Sequence, residues 1–227
     1  MIQIVFENPH FVVCDKPHGV LSTPSREGEK DSRSCLGTTL QKQLGLQIYP
    51  VHRLDFEVSG LVLYAKNPEA HRKANAWFEK KEVQKNYRAL TSAQAFDHIP
   101  ANVANSRQEI SLKPGDVFRW SARVLRGKRR AFESAQGKDS LTLAKFLGLN
   151  SDKQLSWDLN PVTGRSHQLR FDLSRHGFPI VGDTLYGSKI SWQGADSIAL
   201  RSYAIDFSKA PQAQELGLPE KIEVSVF

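Results

Sequence analysis

At 227 residues, 40% of them hydrophobic, the chain can bury the core of one domain or of one domain in two lobes, and no run approaches the about 18 apolar residues of a transmembrane helix. A formal charge of +7 favours an acidic partner, nucleic acid being the commonest, and Met1-Ile2-Gln3-Ile4-Val5-Phe6-Glu7 lacks the basic region and cleavage site of a signal peptide. The two cysteines stand outside any Cys-x-x-Cys pair and read as reduced thiols of a cytoplasmic protein, while the seven histidines show no metal-ligand spacing, so no metal is expected.

Ile2, Ile4 and Phe6 alternate, Asn8-Pro9 turns the chain, and Phe11-Val12-Val13-Cys14 follows, so residues 2 to 16 read as a strand pair closed by Asp15-Lys16-Pro17-His18-Gly19. Residues 22 to 34 read as a loop, and Ser34 to Leu44 as a short helix ended by Gly45. Next comes Val51-His52-Arg53-Leu54-Asp55, which runs on into Ser59-Gly60-Leu61-Val62-Leu63-Tyr64-Ala65. Leu61 to Ala65 is apolar and branched, as in a buried strand, so Asp55 stands where a loop enters the core. His52 and Arg53 are read as positive charge beside it, which keeps a carboxylate ionised and fit to act as nucleophile or base; a structural ion pair has the same pattern. Asn67 suits an N-cap and Pro68 the first helical position, so a helix is expected to about Glu82, with Ala70, Ala74, Trp77 and Phe78 inward. Trp77 is read as core rather than as a platform for stacking bases.

Lys85 to Leu90 reads as a strand carrying Tyr87, a residue that on such a strand is ordinarily core with a polar tip. Between 92 and 140 the pattern is weak, apart from Arg123-Val124-Leu125-Arg126-Gly127-Lys128-Arg129-Arg130. This cluster has five positive charges and no negative one, and is read as a loop that contacts phosphates rather than a merely solvated face. Leu141 to Phe146 and Gln154 to Leu159 read as an antiparallel pair. Ser166 is placed to cap a helix from about His167 to His176, with Gly177 as terminator, and Leu200 to Phe207 and Ile222 to Phe227 read as late strands.

His52-Arg53-Leu54-Asp55 followed by Ser59-Gly60 resembles the catalytic signature of the RluA-type RNA pseudouridine synthases. Lys85-Asn86-Tyr87-Arg88-Ala89 resembles the family's second motif, and Thr163-Gly164-Arg165-Ser166-His167-Gln168-Leu169-Arg170 its third. Phe178-Pro179-Ile180-Val181-Gly182-Asp183 and Tyr186-Gly187 resemble a further segment, and the likeness runs in family order from about Phe6 to Phe207. The resemblance implies a mixed α/β fold: a long, mostly antiparallel sheet flanked by helices, with the catalytic cleft across its middle, in one catalytic domain over residues 1–227. Because the likeness begins within the first ten residues, no separate N-terminal RNA-binding domain is expected. The implied reaction isomerises a uridine of ribosomal or transfer RNA and needs no cofactor. A monomeric, cytoplasmic enzyme without membrane partners is expected.

By resemblance Asp55 is the nucleophile, and Tyr87 lies beside the target base as a candidate for taking the C5 proton. Arg165 pairs with Asp55 and keeps it anionic, and Arg53 fills the space left by the flipped base. His52, Arg53, Arg126, Lys128, Arg129 and Arg130 form the expected RNA-binding set. The chain departs from the family pattern at Phe56-Glu57-Val58, where many relatives end a polar set in threonine, and at Arg201, where histidine is common. Competing readings are a noncatalytic RNA-binding or ribosome-assembly module on the same fold, and a glycoside-type hydrolase using Asp55 and Glu57 from one strand face. Arg165 is alternatively a structural partner of Asp55 or Asp172.

Overall fold

The alternating N-terminus forms a hairpin of β1 (Gln3–Glu7) and β2 (Phe11–Lys16) in a computed structural model that describes residues 2–99 and 107–227. Asn8 makes the turn: its Oδ1 accepts from the backbone N–H of His10 and Phe11 at 2.8 and 2.7 Å, so the side chain replaces a backbone turn bond. The chain divides into two compact units, Met1–Lys85 with Arg201–Phe227, and Asn86–Leu200.

In the first unit β2 pairs antiparallel with β4 (Ser59–Ala65), as does the short β3 (Tyr49–Pro50). Strand β10 (Leu200–Asp206) runs parallel to β4, and β11 (Lys221–Glu223) antiparallel to β10. The parallel pairing explains the glycine of Ser59-Gly60. Gly60 has φ +112 and faces Ser202 so closely that a Cβ would lie 2.1 Å from the Ser202 carbonyl oxygen, so only glycine fits.

Helix α1 (Leu36–Leu44) ends at Gly45 with φ 65, as its sequence requires. Helix α2 (Pro68–Glu79) starts where expected, the Asn67 side chain accepting from Ala70 N–H at 2.9 Å, but stops three residues short of Glu82. Lys81 takes φ 63 in place of a glycine, and the Lys81 and Glu82 N–H groups bond the Phe78 and Trp77 carbonyls. Trp77 is core, packed on Phe11 with ring centroids 6.0 Å apart beside Leu61, Leu63, Ala74, Ile205 and Phe207. Each of the larger of these buried side chains contributes roughly 1.5–3 kcal/mol.

In the second unit β5 (Gln84–Thr91), β9 (Leu155–Pro161), β8 (Lys138–Leu149), β6 (Val117–Arg126) and β7 (Ala131–Glu133) pair antiparallel in that order. Tyr87, Leu159, Ala144 and Phe118 lie opposite one another across four strands. Trp157 fills the middle of the core against Trp120, Phe146 and Phe178, with centroids 5.1 to 5.6 Å away. Helix α3 (Gln168–Arg175) is buried from Gln168 to Ser174. The family-like segment after it is joined to this helix by a buried ion pair: Arg170 forks onto the Asp183 carboxylate at 2.7 and 2.8 Å, both side chains at most 2% exposed. The expected mixed α/β architecture with mostly antiparallel strands is borne out.

Candidate active site

Three side chains of the first unit hold the segment that presents Asp55. The Ser22 hydroxyl accepts from Leu54 N–H and donates to the Leu54 carbonyl, both at 3.0 Å, one residue before Asp55. Tyr64 of β4 donates its hydroxyl to the Ser22 carbonyl at 2.7 Å and holds that serine in turn. His52 continues the β3–β4 ladder with its ring: Nε2 accepts from Leu63 N–H at 3.1 Å, and the ring stacks on Phe78 at 5.0 Å.

An acceptor Nε2 carries no proton, and burial, aided by nearby Lys85, pushes the His52 imidazole down to about 3. His52 is therefore neutral and lends no positive charge to Asp55. Its ring, expected to touch RNA, is engaged in holding the loop, whereas Arg53 is exposed.

One cation near Asp55 is Lys16, which in the sequence looks like part of a turn. Lys16 ends β2 fully buried, and its Nζ donates to the carbonyls of Pro17 (2.8 Å), Val20 (2.7 Å) and Phe56 (3.2 Å). Burial lowers its pKa to about 8, opposed by Asp55 and then Glu57, so it stays charged at neutral pH and favours an ionised Asp55. Asp55 and Glu57 lie in a turn closed by Val58 N–H to the Asp55 carbonyl (3.2 Å), not in a strand, which removes the same-face geometry assumed for a pair of hydrolytic carboxylates. Val58, in place of a hydroxyl, is 3% exposed and belongs to the core. Arg201 pairs with Asp15 and donates to the Ser225 carbonyl, and so has a structural place.

The second unit carries Tyr87, Arg165 and the basic hairpin. Tyr87 sits on β5 with 7% of its surface exposed. Arg165 is half-buried, and its Nε–H donates to the Asp139 carbonyl of β8 at 2.8 Å. The expected cap Ser166 is not used; His167, in the left-handed region with φ 55, starts α3.

The cluster after β6 is a tight hairpin closed by Gly127 N–H to the Arg130 carbonyl at 3.0 Å. Tyr186 anchors it, its phenol oxygen accepting from Ala131 N–H at 2.6 Å and lying 3.1 Å from His167 Nδ1. Arg129 and Arg130 line an open cavity with Thr184 and Leu185. The basic hairpin and the arginine motif are thus parts of one hydrogen-bonded frame. Among the described residues no group of His, Cys, Asp and Glu could hold a metal, and no helix is long and apolar enough to cross a membrane.

Asp172, the alternative partner of Arg165, takes the Thr142 hydroxyl instead, at 2.6 Å. Burial pushes its carboxyl up to about 7, against the Thr142 hydrogen bond and Arg175. The folded state thus binds this proton more tightly than the unfolded chain does. The associated stability is complete below the ordinary carboxylate range and is lost as pH rises through about 7. Asp172→Asn should shrink the fall in unfolding free energy between pH 5 and pH 8 by roughly 2–3 kcal/mol, measured by denaturant titration at both pH values.

The RNA pseudouridylate synthase family matches residues 10–175, a span that runs through both units. The dual-specificity RNA pseudouridine synthase RluA of Pasteurella multocida is 32% identical over 82% of this chain and 77% of its own length. The tRNA pseudouridine synthase C of Pectobacterium carotovorum is 29% identical over 87% of this chain and 51% of its own, and an uncharacterized RNA pseudouridine synthase of Helicobacter pylori 34% identical over 81% and 57%. Human RNA pseudouridylate synthase domain containing 1 shares the fold, with a TM-score of 0.69, 24% identity and coverage of 100% of this chain and 83% of that one. A family match over most of the chain, joined to a relative 32% identical across four-fifths of it, places the chain in the RNA pseudouridylate synthase family.

Proposed function

We propose that the protein converts a uridine of ribosomal or transfer RNA to pseudouridine with Asp55 as nucleophile, assisted by Tyr87 and Arg165. Family membership establishes the reaction class, an isomerisation of uridine in RNA. The observation that carries the assignment of Asp55 is its seat: a turn pinned by Ser22, His52 and Lys16, with a buried cation supporting its charge. The transfer-RNA name of the Pectobacterium relative supports transfer RNA among the substrates.

The reaction breaks N1–C1′, turns the base and joins C5 to C1′, with the C5 proton leaving and N1 gaining one, so nothing is oxidised and no cofactor is required. Asp55 starts it by attacking C6 or by assisting departure of the base from C1′, and the carboxylate is regenerated at the end. The target must leave the base stack to reach it. Arg53, exposed and planar, fills the vacated space and stacks on neighbouring bases. Arg165 pairs with Asp55 and holds it anionic. Incubating the purified protein with transcribed transfer and ribosomal RNA tests the reading: pseudouridine is the expected product, whereas free uracil or an abasic site would mark a hydrolase.

Tyr87 is assigned the C5 proton. Tyr87→Phe should keep RNA affinity within about twofold and slow the single-turnover rate by about 10²-fold, since the ring still packs while the hydroxyl is gone. A wild-type rate with chemistry limiting would leave Tyr87 as a wall of the pocket only.

Arg126, Lys128, Arg129 and Arg130 are assigned to RNA phosphates, and none of the four enters an ion pair among the described residues. RNA binding should weaken steeply with salt, and neutralising all four should reduce the slope of log K against log salt by about 2–3, because each phosphate contact on single-stranded RNA releases roughly 0.7 counterions. An unchanged slope would assign the hairpin to ordinary solvated surface.

A further inference from the structure

The chain departs from the family pattern directly after Asp55, at Phe56 and Glu57. The Phe56 carbonyl accepts from Lys16 Nζ at 3.2 Å and from Gly19 N–H at 3.0 Å, so its backbone is fixed beside Asp55. Its ring is half-buried, and the Arg33 guanidinium lies over it, 5.1 Å from the centroid. Asp31 sets the plane of that guanidinium: Nε donates to Oδ1 at 2.9 Å and Nη2 to Oδ2 at 2.6 Å, a two-point fork. Asp31 Oδ1 also accepts from the Arg33 backbone N–H at 3.1 Å. On the other side of Arg33, the Ser34 carbonyl accepts from Leu21 N–H at 2.9 Å, and Leu36 N–H donates to the Leu21 carbonyl at 2.8 Å. Leu21 precedes Ser22, the residue that holds Leu54. Phe56 and Arg33 are thus anchored to one short strip of chain, residues 19–22.

An exposed arginine beside an RNA-modifying site would ordinarily meet a phosphate, but this one stands among carboxylates. Asp31 pairs with it, and Glu27 and Glu57 favour its charge further. The Arg33 and Ser25 bonds hold the Asp31 carboxyl well below the usual carboxylate range, so the pair stays ionised. A phosphate would meet these negative charges together with the cation. The flat face is better suited to a ligand. The Arg33 side chain is 47% exposed although Phe56 covers one face and Asp31 one edge, which leaves the face turned away from the ring open. A guanidinium clamped in one plane over an aromatic ring is a stacking surface, and unstacked RNA bases lie on such planes. As an exposed ion pair alone, the fork contributes little to stability.

We infer that Phe56 and Arg33 form a stacking platform for the base of a nucleotide next to the target uridine. The inference rests on Asp55 as the centre of the site. Because the occupant is a base and not a phosphate, the contact holds the unstacked RNA without counterion release.

The test uses a synthetic RNA stem-loop carrying the uridine that the wild type modifies, with each neighbour of that uridine replaced in turn by an abasic residue. Arg33→Lys keeps the charge but not the plane. It should bind the intact RNA about fivefold or more weakly, the loss of one base stack, with the slope of log K against log salt unchanged. At one position the abasic residue should weaken wild-type binding by a similar factor and cost Arg33→Lys less than about twofold more. Phe56→Leu keeps the apolar bulk without the ring and should show the same pattern; it carries the test where thermal unfolding shows that Arg33→Lys does not fold. Wild-type affinity in folded Arg33→Lys overturns the inference, as do losses that multiply at every abasic position. An active Asp55→Asn overturns the reading of Asp55 and this inference together, whereas multiplied losses beside an inactive Asp55→Asn overturn the inference only.

Discussion

Asp55→Asn should fold, bind RNA with near wild-type affinity and lose isomerisation by about 10³-fold or more, since the amide keeps the shape of the side chain but has no nucleophilic oxyanion. The substitution also removes one of the two carboxylates that favour the charged form of Lys16, so a small loss of stability is expected at neutral pH. Single-turnover assays beside thermal unfolding separate the two effects. Substantial turnover in the well-folded variant would remove Asp55 from the chemistry and return the chain to the reading of a noncatalytic RNA-binding module.

Arg165→Met should also show a large loss. If this arginine served the fold alone, activity would fall only with the folded fraction. If it holds Asp55 anionic, activity falls much further than stability, by about 10²-fold at neutral pH. The sign of the pH dependence separates the cases. Without the guanidinium the Asp55 carboxyl holds its proton to higher pH, so the variant is least active at low pH and recovers partly as pH rises. Arg165→Lys should be intermediate, restoring the charge but not the planar fork. A flat profile with a wild-type rate in Arg165→Met would show that Asp55 needs no help from this residue.

The elements marked by local chemistry were legible in the sequence: Asn8 at the first turn, Gly45 after α1, Asn67-Pro68 at the start of α2, and the apolar run of β4. Other features were hidden because the determinant is a distant partner. The end of α2 is hard to place because Lys81, not glycine, takes the left-handed position, and the start of α3 because a non-glycine His167 takes it there too, ahead of a Gln168 amide bonded to β8. Strand β6 is masked in the sequence because Arg119 and Arg123 occupy its exposed face and its end, Arg123 to Arg126, reads as part of the basic cluster. At the site, the motif pointed to Asp55 while misjudging its surroundings. His52 looks like a cation in the sequence, but burial and the Leu63 N–H make it neutral. A lysine before Pro-x-Gly looks solvent-facing in the sequence, whereas three carbonyls and two carboxylates surround Lys16.

Mapping pseudouridine across total RNA from cells lacking the gene, with return of the wild-type or the Asp55→Asn protein, tests the central claim most directly. At least one uridine in transfer or ribosomal RNA should lose its pseudouridine in the deletion, regain it with wild type and stay unmodified with Asp55→Asn at equal protein level. Restoration of the site by Asp55→Asn, or an unchanged pseudouridine map in the deletion, would contradict the account.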